Sequence, residues 1–424
     1  MGRARDDRQP PEPPRCFGRG CGQPRRGTVV TPLARLVPQL MPVLLFAVAC
    51  GPGRTDSNAG AGIGSFALGT CELPAVADCE GCLEFDFALR LGETDDHPGF
   101  LVEATSMLRI VQDPLERYWI GQGEELKVFD ADGAYVGKVG RAGEGPLEFS
   151  AVRLIGADSA RRIHVLDNRN KRVTVLNTDF SLAAETLVPG GFVRDMVVFS
   201  PETSTSGKYV LQTWISSLDQ IGLPLHRLSA DGEILSSFGP RPTIASGPMT
   251  PVLMERELAL HPSGTVLSAS KLNYVIEAWM SDNSRAGSLT GPDLDDGLRG
   301  EPGPSTLDNP PWNTLRDIHV DRDGRLWVML VYRRPDWEDL VVERTRPTGQ
   351  VYLEYPQGPG SVFRTRVEMI DVQACSVRAS GWFDHPSVGW FLLGDESGTT
   401  SITGLAHSPV GEPFVEIWDI RVPR

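Results

Sequence analysis

Four polar two-residue turns, Asp132-Gly133, Thr178-Asp179, Asp231-Gly232 and Asp282-Asn283, punctuate the middle of this 424-residue chain. They recur at intervals of roughly 50 residues, and each stands between two short apolar runs, as the hinge of a β-hairpin does. A repeat of that length holds about four strands and cannot close a core alone; it is stabilised by burying both faces of its sheet against its neighbours. The strands should then look apolar on both faces rather than cleanly alternating. The chain's 45 glycines and 34 prolines fit many turns. No helical-period run longer than about ten residues appears. The expected fold class is all-β, with four-stranded blades arranged radially as a propeller.

The repeat is best preserved over residues 140–176. Glycines 140, 143 and 145 and Pro146 lead to Phe149, and then come three β-rich runs, 152–157, 163–166 and 172–176. Asp158-Ser159 and Asp167-Asn168-Arg169-Asn170 break the chain between them. The first blade is expected over 103–140, the second through Val188, the third over 192–238 and the fourth over 257–289. Residues 291–312 read as a long loop. The fifth blade begins with 315–320 and 326–330, after which 332–364 holds either an insertion or strands that the pattern leaves unplaced. The last blade shows runs at 390–393 and 414–420 and is one strand short. The run LEFDFALRL at 83–91 has no blade of its own and is predicted to close a six-bladed β-propeller by pairing into the last blade.

The run GRAGEGPLEF at 140–149, followed by IHVLDNRNKRVTVL at 163–176, resembles the NHL-type repeat and the wider group of bacterial six-bladed β-propeller lipoproteins. The resemblance covers most of the chain from Cys79 onward and is strongest in the second blade. It implies a rigid ring with a central channel whose ligands sit at a channel mouth.

Residues 1–49 read as a signal peptide. The apolar run 40–49 is too short to span a bilayer. Ala47-Val48-Ala49-Cys50 resembles a lipobox with Ala in place of Leu at its first position, which makes Cys50 the expected lipid attachment. The alternative is an ordinary secretory signal with a soluble product. A translation start placed too far upstream would account for the long segment before the apolar run, and would make Cys16 and Cys21 artefacts. Residues 50–82 form a small, polar tether and a Cys-rich lead-in, and 83–424 the propeller. The expected location is the bacterial cell envelope, either facing the periplasm or on the outer membrane, with the membrane as partner through the lipid anchor.

With Cys50 lipidated, Cys71, Cys79, Cys82 and Cys375 remain, an even number in an oxidising compartment, so disulfides are expected. Three connectivities are open, and a Cys79–Cys82 bridge is tight. The CEGC spacing has no second pair for zinc, and Leu83 stands where a c-type haem needs His. The net charge is −14, and eight Arg against Asp6, Asp7 and Glu12 in residues 1–49 leave the rest more acidic still. That balance argues against nucleic acid as a partner.

Alignment of the blades on their first turn exposes one recurring cation. Arg153 and Arg316 each precede an Asp, 158 and 321, by five residues; Arg194 and Arg256 hold the same place before Phe199 and His261. Arg109 in the first blade is one residue out of register. First strands line the channel, so Arg153, Arg194, Arg256 and Arg316 are candidate ligand-binding residues for a carboxylate, sulfate or phosphate. The competing reading pairs each with a neighbouring carboxylate, among them Asp195, Glu257 and Asp317. The sequence offers no GxSxG elbow, no HExxH and no complete calcium loop in Asp130-Ala131-Asp132-Gly133 or Asp321-Arg322-Asp323-Gly324. No catalytic set, metal site or cofactor is expected. Trp119, Trp327 and Trp390 read as blade packing, whereas Trp312, Trp337 and Trp382 lie near expected loops and are candidates for ligand contact.

The function expected is therefore a non-enzymatic binding scaffold in the envelope, for a protein or a small anionic ligand. The alternative is a metal-dependent propeller enzyme, a lactonase- or lyase-like hydrolase with His and acidic ligands around the channel.

Overall fold

The computed structural model describes residues 69–92, 98–101, 110–200, 207–213, 222–241, 254–295, 305–387, 389–394, 398–408 and 411–422. Cys50 and Arg109 lie outside the described residues. Blade one comprises Ile110–Gln112, Tyr118–Gln122, Glu125–Phe129 and Tyr135–Val139. Blade two is Val152–Ala157, Ile163–Asp167, Arg172–Leu176 and Leu182–Leu187, and blade three Val193–Val198, Tyr209–Thr213, Leu225–Leu228 and Ile234–Phe238. Blade four is Arg256–Leu260, Val266–Ser270, Val275–Trp279 and Arg285–Thr290. Blade five is Thr314–Val320, Leu326–Arg333, Phe363–Asp371 and Ser376–Phe383. Blade six is Phe391–Gly394, Thr400–His407 and Pro413–Arg421, completed by Glu84–Leu91 from the start of the chain. Each blade is an antiparallel meander.

The turns that set the period are tied locally. Asp130 Oδ1 accepts the N–H groups of Asp132 and Ala134, and Asp179 and Asp282 do the same for Ser181 and Ser284. Such side-chain contacts hold a turn where the chain must reverse. The second and third strands of blade two are buried along their whole length, as strands covered on both faces must be.

Six apolar clusters each straddle two adjacent blades. Trp119 and Leu126 of blade one meet Ile163 and Leu176 of blade two, and Val173 of blade two meets Val193 and Leu211 of blade three. The series continues round the ring to Leu91 and Val415 of blade six, which pack on Ile110 and Ile120 of blade one. The first strands of successive blades touch in an unbroken cycle. The six-bladed ring therefore closes, with Glu84–Leu91 antiparallel to Pro413–Arg421 as the sequence predicts.

Three features go beyond the sequence reading. Residues 332–364 carry an insertion between the second and third strands of blade five: the hairpin Val342–Thr345 with Val351–Glu354. It has its own core of Trp337, Val341, Leu353 and Val362. The strand missing from the last blade is Thr400–His407. Thirdly, Thr70–Glu72 adds a parallel fifth strand to the outer edge of blade four. The lead-in then runs along blade five, where Cys79 bridges to Ala379, and enters blade six. Cys71 is joined to Cys375 and Cys79 to Cys82. Glu80 holds Arg366, with Arg366 Nη2 3.0 Å from Glu80 Oε2. Among the described residues no helix is long and apolar enough to cross a membrane.

Candidate functional site

In a meander the start of the first strand and the turn between the second and third lie at one end of the blade. The turns from first to second and from third to fourth lie at the other. Arg153, Arg194, Arg256 and Arg316 all stand at or near the start of a first strand, and so belong to one face of the ring.

Three of them share a local device. Pairing skips one residue between Val152 and Leu154, between Val193 and Asp195, and between Leu315 and Asp317. Arg153, Arg194 and Arg316 are therefore the extra residues of β-bulges, which take a side chain out of the regular pleat and re-aim it. Arg256 differs: it pairs in regular register with Ser270 and is buried. Its guanidinium donates to the Glu255 carbonyl at 2.9 Å. Burial pulls its pKa down, against the attraction of Glu277. Without a bulge in blade four, Arg256 keeps the regular register of its strand.

Two of the bulged arginines converge. The Arg153 guanidinium carbon is 5.3 Å from the Phe192 ring centroid and that of Arg194 is 4.9 Å from it. Phe192 is 46% exposed, an unusual position for a large aromatic beside buried inner strands. Arg194 also lies 3.3 Å from Glu255, and Lys271 bridges Glu255 and Glu257 at 3.0 and 3.5 Å. Arg316 packs over Phe391 at 4.4 Å, with its Nε 3.4 Å from the Trp390 carbonyl. Guanidinium over an aromatic face is a favourable cation–π contact that fixes the cation's position.

The acidic neighbours serve the scaffold. Asp195 is buried and accepts the N–H of Leu258 in the next blade at 2.6 Å, and Asp317 accepts that of Leu392 at 2.8 Å. The bulge thus splits an Arg-Asp pair, with the Asp clamping the adjoining blade. Asn168 makes the same kind of link from blade two, exchanging two hydrogen bonds with the Val193 backbone at 2.9 Å.

The glycine-rich run 140–149 is the crossover between blades one and two. Gly140 has φ 91°, and a Cβ there would lie 2.4 Å from the Phe149 ring. The Arg172 guanidinium donates to the carbonyls of Glu144, Gly145 and Glu148, so this loop presents acceptors that are already engaged. In the 167–172 cluster, buried Asp167 accepts the N–H groups of Ser150, Ala151, Arg169 and Asn170, which makes the cluster a turn.

At the opposite face, a triad recurs that the sequence reading did not single out. Asp113 accepts from Trp119 Nε1 at 2.8 Å and Arg117 Nε at 2.8 Å; Asp321 accepts from Trp327 Nε1 at 2.9 Å and Arg325 Nε at 2.7 Å. Blade two keeps the spacing with Asp158, Arg162 and His164. The signal was present as Asp, then Arg four and Trp or His six residues later. Trp119, Trp327 and Trp390 are core residues. Trp337 is buried inside the insertion, and Trp382 is on the last strand of blade five beside Tyr332 and Arg364, partly exposed. Among the described residues no group of three or more His, Cys, Asp or Glu side chains is placed to hold a metal.

The fold and these contacts define a six-bladed β-propeller with an arginine–aromatic cluster at one end of its inner strands. Residues 93–198 match the DUF5128 family, described as a 6-bladed beta-propeller. Similar solved structures include a Bacteroides fragilis protein described as exported, at 12% identity and TM-score 0.47, covering 84% of this chain and 99% of that one. A member of the DUF4221 family from Bacteroides vulgatus is 9% identical with TM-score 0.47, covering 80% and 99%. Virginiamycin B lyase from Staphylococcus aureus is 10% identical with TM-score 0.41, covering 79% and 99%. No curated protein matches.

Proposed function

We propose that this protein is a lipid-anchored propeller of the cell envelope that binds an anionic ligand, without catalysis, at the face carrying Arg153 and Arg194. The observation that carries the reading is the convergence of two guanidiniums, from adjacent blades, on the exposed ring of Phe192. A forked cation held over an aromatic ring is positioned before the ligand arrives, and Phe192 offers apolar area beside it. Arg316 extends the same face toward blade six, whereas Arg256 contributes no exposed charge. The strongly acidic remainder of the chain makes a local basic cluster selective, because anions are repelled elsewhere.

Calorimetric titration with citrate tests the site. Saturable binding is expected, weakened about tenfold or more by Arg194→Ala and again by Arg153→Ala, and weakened by added salt. Equal affinity in the wild type and the double variant would remove the site. The anchor is tested separately: Cys50→Ser, or an inhibitor of lipoprotein signal peptidase, should leave the precursor unprocessed and unlipidated.

A further inference from the structure

We propose that the cleft between blades two and three is a second binding site, for a small carboxylate carried on an apolar body. The blade repeat itself provides the comparison. In blades one and five the Asp–Arg pair is completed by Trp119 or Trp327, whose indole donates to the Asp and fills the space beside it. In blade two the same position is His164, a smaller ring, and a cavity of about 540 Å³ lies against it. That volume is within the range of small-ligand sites, roughly 300–1,000 Å³.

The lining is divided by chemistry. Val175, Ala184, Phe199 and Leu235 form apolar walls, while Lys208 and Arg162 stand beside the polar floor. At that floor Asp158 Oδ2 is 3.0 Å from His164 Nε2, 3.1 Å from Lys208 Nζ and 2.8 Å from Arg162 Nη2. His164 Nδ1 lies 3.1 Å from the Tyr209 hydroxyl. With Nε2–H given to Asp158, Nδ1 accepts from Tyr209, and the imidazole is neutral. Burial, the largest influence on His164, also lowers its pKa. Among the described residues one carboxylate thus faces two cationic side chains at this floor, Lys208 mostly buried and Arg162 one-third exposed. A monoanion completes that balance, and an alkyl or aryl body suits the walls. Arg162, the strand ends at Ser200 and Lys208, and Ser229 and Ala230 of a third-to-fourth turn line the cleft, which places it at the face opposite Arg153 and Arg194.

The experiment is calorimetric titration of the whole protein with 4-phenylbutyrate and with its uncharged analogue 4-phenylbutanamide. Saturable one-site binding of the acid is expected, with the amide weaker by about tenfold or more. Lys208→Gln should weaken the acid to a similar degree. Ala184→Trp, on an exposed outer strand, should block binding while leaving the unfolding midpoint unchanged. Arg194→Ala should have no effect. The proposal is overturned if the folded wild type shows no saturable binding, if acid and amide bind alike, or if binding survives Ala184→Trp. Loss of binding in Arg194→Ala would also overturn it, by placing the probe at the other face.

Discussion

Two buried polar residues in blade three show how single side chains hold this ring together. Asp195 spends both oxygens on backbone N–H groups, one in its own strand and one in the next blade. His226 is buried, with Nε2 3.2 Å from the Thr213 carbonyl and Nδ1 2.7 Å from Ser237 Oγ, so the ring donates from Nε2 and accepts at Nδ1. Burial, only partly opposed by the Thr213 carbonyl, lowers its pKa from 6.5 to about 4. The unfolded chain then binds a proton that the folded protein refuses between those values, so stability rises with pH across that window. Folded-state stability is fully present above pH 6.5 and should fall by on the order of 3 kcal/mol as pH drops through about 4. Urea titrations at stepped pH measure this, and His226→Gln should flatten the slope. Nothing in the sequence marked His226 as different from the other six histidines, because its partners come from neighbouring strands. Arg153 and Arg194 were legible from their spacing to the first turn, but the bulges that re-aim them, and the absence of one at Arg256, depend on pairing registers that spacing does not report.

At the scale of strands, legibility followed local chemistry. Hairpins closed by Asp-Gly or Asp-Asn turns and flanked by β-branched residues were readable within a few residues of their observed bounds. Thr400–His407 was not. Its sequence TSITGLAH is small and polar, and Gly404 is there because the Trp390 ring occupies the place of a side chain, 2.6 Å from where a Cβ would stand. Thr70–Glu72 is not legible in the sequence because three residues carry no periodicity, and its stability derives from a parallel partner more than 200 residues away. The disulfide from Cys71 to Cys375 fastens that strand to the third-to-fourth turn of blade five, across a sequence separation of 304 residues. A crosslink over so long a loop restricts the unfolded chain strongly, and removal of such bridges typically costs about 2–5 kcal/mol. Cys71→Ser should therefore lower the unfolding free energy by an amount within that range, seen as a lower urea midpoint in the fluorescence of the buried tryptophans, with the secondary structure of the folded state unchanged.

For the molecule as a whole, closure of the ring decides whether a blade-by-blade assembly has one structure. Five blades are continuous in sequence, but blade six joins the two ends of the propeller, with Glu84–Leu91 as its outermost strand. That strand pairs along Pro413–Arg421, and Leu91 packs with Val415 and Ile417 against blade one. Its loss would leave the backbone of Pro413–Arg421 as an open edge and uncover part of that cluster. Exposed edges of this kind recruit other chains. A chain that starts at residue 98 also lacks Thr70–Glu72 and the Cys71–Cys375 bridge; it is expected to form dimers and larger species by light scattering, although blades two and three and the four antiparallel strands of blade four keep their pairing. A synthetic peptide of residues 83–92 added during refolding should restore the monomer, and the same peptide with prolines at the paired positions 86 and 87 should not, because proline removes ladder hydrogen bonds. A truncated chain that stays monomeric and as stable as the parent would mean that the apolar contacts between blades close the ring without this strand.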